Sequence, residues 1–163
     1  MIDQIEASLV VERSYKADSK ELWELWATKD GFESWWGPQG FRVDVHTIEA
    51  RPDGALQYDM IAATPEMQAA MVKMGQPAST LCKGKFTEFR PEEHLTLTQM
   101  IDFLPDVPAH ESRIDVDFIP AADGHVRMIV TMGQLYDAKT SGMQQQGFAS
   151  QLTKLDKRFG WEG

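Results

Sequence analysis

Between Phe41 and Met132 apolar side chains return at every second residue in one short run after another. Phe41, Val43 and Val45 alternate with Arg42, Asp44 and His46. Leu56, Tyr58 and Met60 follow a turn at Arg51–Gly54 (RPDG). Phe86 belongs to the next run, and Leu95, Leu97 and Ile101 to the one after the turn RPEEH. Ile114, Val116 and Phe118 make another, and AADG leads into Val126, Met128, Val130 and Met132. A period of two marks strands with one buried face, and short turns between them imply an antiparallel meander. The period then changes. In Ser141–Phe159, the residues Phe148, Leu152, Leu155 and Phe159 fall at steps of four, three and four, one apolar stripe on a long helix. Sheet and helix must bury these faces on each other, and a curved sheet gripping a helix often leaves a cavity between them.

The segment before the meander supplies the remaining parts. Ala7–Tyr15 alternates as a first strand. In ADSKELWELWAT, Asp18 with Glu21 three residues on resembles a capping box, and Leu22, Leu25 and Trp26 share one helical face. A second short helix is expected over Lys29–Trp36, ending at Gly37-Pro38 because proline cannot continue it. Neighbouring residues on a helix point ~100° apart, so Trp35 and Trp36 cannot enter one pocket together. Trp36 is expected to face inward near Phe148 and Trp35 to pack on the first helix or the rim. Trp36→Ala is accordingly expected to cost more stability than Trp35→Ala. One helix interrupts the meander. Thr64 caps it, Pro65 opens it and Gly75 follows its end, so it runs over Pro65–Met74 with Met67, Ala70, Met71 and Met74 on one face. Methionine adapts to varied apolar shapes, and this helix is expected to lid the cavity.

The 163 residues suit one domain, 1–163, and 42% hydrophobic residues are ordinary for a globular protein. No run approaches a membrane span. The opening MIDQIEASLVVERSY carries acids where a signal peptide is basic, so a cytoplasmic location is expected. The net charge of −9 argues against nucleic-acid and anionic-membrane partners. Cys82 is the single cysteine, which excludes an intrachain disulfide and thiolate zinc sites.

The order strand, two short helices, about six strands, long helix is similar to the START-like (SRPBCC) superfamily with its helix-grip fold, an α+β architecture. Local motifs narrow the resemblance. VERSYKADSKELWELWA, WWGPQGF, IEARPDGALQY, GKFTEFRPEEHL and GFASQLTKL resemble the family named for activation of the heat-shock protein 90 ATPase. Related sequences often have Asp, Arg and Gly-Gly where this chain has Glu49, Arg51 and Asp53-Gly54, and tryptophan where it has Phe148. Its methionine-bearing helix is longer than the short loop of many related sequences.

The expected role is binding of a small apolar or aromatic ligand between sheet and C-terminal helix. The expected lining is Trp36, Val45, Tyr58, Met60, Met67, Met71, Phe86, Met132 and Phe148. Tyr58, in phase with Leu56 and Met60, could orient a polar ligand group, whereas Asp59 points to the other face. Catalytic signals are thin. There is no Gly-rich phosphate loop, His-Glu-x-x-His or serine elbow. His46 is expected in solvent, and His94 and His125 at turns. His110, in LPDVPAH, could act as a general base only if Glu111 or Asp106 oriented it, and a solvated loop histidine is the simpler reading. No cofactor or metal is expected. The resemblance leaves two other readings. One is an enzyme of the polyketide cyclase or hydrolase type. The other is a chaperone co-factor, ranked last because a lone domain of this length lacks the additional chaperone-binding domain of the eukaryotic member behind the name. A homodimer is compatible with the sequence.

Overall fold

The computed structural model describes residues 7–102, 108–133 and 138–161. Its strands are β1 (Ala7–Lys16), β2 (Phe41–Ile48), β3 (Gly54–Ala62), β4 (Ser79–Arg90), β5 (His94–Ile101), β6 (His110–Pro120) and β7 (His125–Gly133). Its helices are α1 (Ser19–Ala27), α2 (Lys29–Glu33), α3 (Pro65–Lys73) and α4 (Ala138–Arg158). The strands form one antiparallel sheet in the order β1-β7-β6-β5-β4-β3-β2. Six strands are thus neighbours in both chain and space, and β1 closes the row against β7. This is the α+β helix-grip arrangement that the alternating runs and the final amphipathic stripe imply.

The inner face carries the core. Leu56, Leu97, Val116, Met128 and Val130 are fully buried on the strands, and Phe148, Leu152 and Leu155 of α4 are buried with them. The far end of α4 is pinned to β1. Tyr15 Oη donates to Asp156 Oδ1 at 2.6 Å, Arg13 Nε donates to the same oxygen at 3.0 Å, and the Arg13 guanidinium lies 4.0 Å over Trp161.

Two local expectations are corrected. α2 stops at Glu33 rather than Trp36, with Ser34 as its C-cap. The Ser34 hydroxyl donates to Gly31 O at 2.6 Å and its amide bonds both Asp30 O and Gly31 O, which tightens the last turn. The two tryptophans therefore follow the helix. His94 is not a turn residue. It opens β5 on the outer face, is 9% exposed, and bonds Asp117 Oδ1 at 2.7 Å and Thr96 Oγ1 at 3.1 Å. His125 opens β7 beside its turn, and His46 is exposed, paired with Asp59 Oδ2 at 2.8 Å.

The β2–β3 turn is held by one side chain. Glu49 Oε1 accepts from Ala55 N–H at 2.8 Å and from Arg51 at 3.2 Å. The Ala55 amide, and next the Arg51 charge, hold the Glu49 carboxyl below the usual range. A carboxyl lowered by folding stabilises the native state above its unfolded pKa, about 4.3, and that contribution is lost as pH falls through the lower folded value. Glu49→Gln should therefore be less stable than wild type at neutral pH, and their urea midpoints should converge as the solution is acidified. A gap independent of pH would contradict this role.

Candidate functional site

The stretch WWGPQG makes the junction between α2, the sheet and α4. Trp35 and Trp36 leave the turn in different directions. Trp35 is 1% exposed, donates its ring N–H to Leu25 O of α1 at 2.8 Å, and meets Trp26 and Phe148 edge-on at centroid distances of 5.0 and 6.2 Å. Trp36 stacks on Phe32 at 4.6 Å and donates its ring N–H to Tyr58 Oη at 3.0 Å. The expected contact of Trp35 with the first helix is present. It is Trp35, however, that makes the ring contact with Phe148. Gly37 then turns the chain at φ +94°, a conformation that favours glycine. Both of its backbone groups are taken by α4: its N–H donates to Gln151 Oε1 at 3.0 Å, and its carbonyl accepts from Lys154 Nζ at 2.8 Å. Gln39 N–H adds a bond to Ser150 Oγ at 2.9 Å. The loop is thereby clamped to the helix at the point where sheet and helix begin to part.

Beyond that clamp lies a cavity of about 280 Å³. Its floor comes from the sheet: Tyr58 and Met60 of β3, Cys82 of β4, Gln99 of β5, Ile114 of β6 and Met132 of β7. Trp36 and Pro38 close one side. The roof is the inner face of α4, with Gln144, Gly147, Phe148 and Gln151, and the rim carries Met100, Ile101 and Met143. Met100 and Met143 are exposed, so the mouth is itself apolar. No Asp, Glu, Lys, Arg or His is among the described lining residues.

A small polar network crosses the floor. Tyr58 Oη accepts from Trp36 Nε1 at 3.0 Å and from Gln99 Nε2 at 2.6 Å. Burial, with the neighbouring Cys82 adding to it, pushes the Tyr58 hydroxyl well above the usual tyrosine range. Burial also pushes the Cys82 thiol up to about 11. Both groups are neutral at physiological pH, so this network orients and donates hydrogen bonds but supplies no base or thiolate nucleophile.

Of the residues expected to line a cavity, Trp36, Tyr58, Met60, Met132 and Phe148 converge on this one, and Val45, Phe86, Met67 and Met71 do not line it. Phe86 is buried four residues along β4 from Cys82, ~13 Å at strand spacing, and packs on Phe89. Val45 is buried next to Tyr58 in the β2–β3 ladder, and its amide donates to Glu33 Oε2 at 2.7 Å. Met67 sits against Gly40, where an added Cβ would lie 3.0 Å from its Cε. Met71 is half-buried on α3, a helix without a buried residue. His110 begins β6, its Nδ1 within 3.0 Å of the Pro108 carbonyl, and does not line the cavity; Glu111 is exposed, and Asp106 lies outside the described residues.

Gln99, Gln144 and Gln151 do not register in a pattern of apolar residues. The positional signal was present. Gln99 is in phase with Leu95 and Leu97, and Gln144 and Gln151 flank Phe148 at helical steps of four and three.

Solved structures place the fold among relatives. A crystal structure of a protein from Chromobacterium violaceum superposes with a TM-score of 0.73 at 20% identity, covering 94% of this chain and 97% of that one. The AHSA1 protein from Silicibacter pomeroyi gives 0.72 at 21% identity, covering 95% and 99%. A solution structure of a protein from Arthrobacter aurescens gives 0.71 at 18% identity, covering 99% and 91%. At these identities the likeness is one of fold. No curated protein matches the chain. The family model described as Activator of Hsp90 ATPase homolog 1-like protein matches residues 16–160, and the chain belongs to that family.

Proposed function

We propose that the protein binds a small apolar or aromatic molecule in the cavity between the sheet and α4. The observation that carries this reading is the cavity itself, about 280 Å³ with an apolar lining, an apolar mouth and a few converging amides and one hydroxyl. That composition suits recognition by shape with a few polar contacts. Trp36, Tyr58, Met60, Met132 and Phe148 form the wall against which the ligand packs. Binding is favoured over turnover because the titratable groups of the described lining, Tyr58 and Cys82, are both held protonated by burial. A cyclase or hydrolase would need a group there able to take a proton near neutral pH. Among the described residues no helix is long and apolar enough to cross a membrane.

Native mass spectrometry of protein purified gently from its own host is the direct test. The expected result is a fraction of the protein carrying one small organic molecule, released intact on denaturation. A chemically altered molecule released only after turnover would favour the enzyme reading. Protein that carries nothing, and takes up none of a panel of apolar and aromatic compounds, would contradict the proposal.

A further inference from the structure

Gln151 is 4% exposed, and its two amide atoms are in opposite situations. Its Oε1 accepts from Gly37 N–H at 3.0 Å. That contact fixes the orientation of the amide, because a backbone N–H can bond only an acceptor. Nε2 must then lie on the other side, where it is buried and has no hydrogen-bond partner among the described residues. A buried donor left unpaired is costly, and Gln151 is one of the residues that line the cavity. Two turns back along α4, ~10 Å along the axis, Gln144 lines the same cavity. Its Nε2 bonds Ser112 Oγ at 2.6 Å, and its Oε1 is buried without a partner among the described residues. Phe148 stands between the two glutamines, and the described lining offers no charge to balance an ionised ligand. Burying an unpaired charge there would cost far more than burying a carbonyl.

We infer that the cavity selects an uncharged, flat ligand bearing a carbonyl, with Gln151 Nε2 donating to that oxygen and Phe148 packing on the ring beside it. This rests on the ligand-binding reading above and adds the chemical class. Gln144 Oε1 is placed to accept from a hydroxyl or N–H at the other end of the molecule. Gln151 thus has two tasks, holding the Gly37 loop through its oxygen and reading the ligand through its nitrogen.

Three probes on one ring system test this by titration. They are the uncharged naphthyl ketone Prodan, its analogue with the carbonyl reduced to a methylene, and the corresponding naphthalenecarboxylate. Wild-type protein should bind the ketone about tenfold more tightly than the methylene analogue, a difference of ~1.4 kcal/mol, and the carboxylate most weakly. Bound Prodan should emit to the red of Prodan in an aprotic apolar solvent, as a hydrogen-bonded carbonyl does. Gln151→Leu should bind ketone and methylene analogue equally. Equal affinity of both on wild type, or tightest binding of the carboxylate, would overturn the assignment of Gln151 while leaving a ligand-binding cavity. Failure of all three to bind would overturn the cavity reading and this inference together. Gln151→Leu also gives up the Gly37 contact. If it fails to fold, the wild-type affinities and the emission of bound Prodan still decide the question.

Discussion

Trp35→Ala should destabilise the protein by about 3–5 kcal/mol, the cost of truncating a large, fully enclosed aromatic. The ring is 1% exposed and is surrounded by Trp26, Trp36 and Phe148 at centroid distances of 5.0, 5.2 and 6.2 Å. Its loss leaves a void where α1, the α2 turn and α4 meet, and Leu25 O loses its bond from Nε1. Trp36→Ala should cost less. Trp36 is also buried, but one side of it borders the cavity, so truncation enlarges a space already present. This reverses the order expected from the sequence, in which a helix break immediately after Trp36 aims that ring at the strand that follows. Denaturant melts of both variants give the comparison, and a larger loss for Trp36→Ala would contradict the packing described here.

Gly54→Ala should be about as damaging, with a loss of about 3 kcal/mol or more. A methyl group at Gly54 would overlap the carbonyl oxygen of Glu49 and lie 2.8 Å from that of Arg51. Neither carbonyl can move freely. Glu49 O accepts from Arg51 N–H at 2.8 Å, Arg51 O accepts from Gly54 N–H at 2.9 Å, and Asp53 N–H is tied to Phe86 O at 2.8 Å. The methyl can be fitted only by opening the β2–β3 turn and its tie to β4. A urea midpoint unchanged from wild type would show that the turn is looser than these bonds imply.

The fold was legible because the inner strand positions and the α4 stripe are nearly all apolar, and period alone separates them. Where side chains override the backbone signal, legibility fell. α2 ends at Glu33, with Ser34 as its C-cap, before the chain reaches the glycine and proline. The charged run before His94 resembles one turn, yet the turn occupies only the three residues between β4 and β5, with Glu92 at φ +65°. The cavity divides in the same way. Met60, Tyr58 and Met132 were accessible because they sit in phase with buried neighbours. The glutamines of its roof and floor occupy equivalent positions but carry polar side chains, and a search for apolar periodicity discards them. The methionine spacing of α3 is real, with Met67, Ala70 and Met71 half-buried on one side, while Val72 and Met74 are exposed. Spacing gives a face, but it cannot say whether that face meets a cavity or, as with Met67, a loop glycine.

Gly147 provides the most direct test of whether the cavity is a binding site. It lines the cavity, and an added Cβ there would meet nothing within 4 Å. Glycine inside a helix costs about 0.5–1 kcal/mol relative to alanine, so Gly147→Leu should fill the space without loss of stability. The measurement is fluorescence titration with N-phenylnaphthylamine, an uncharged aromatic amine, on wild type and Gly147→Leu. Wild type should bind one equivalent with a strong rise in emission, while Gly147→Leu should melt no lower than wild type and bind at least about tenfold more weakly. Equal binding by a stably folded Gly147→Leu would place the ligand elsewhere and contradict the assignment of this cavity.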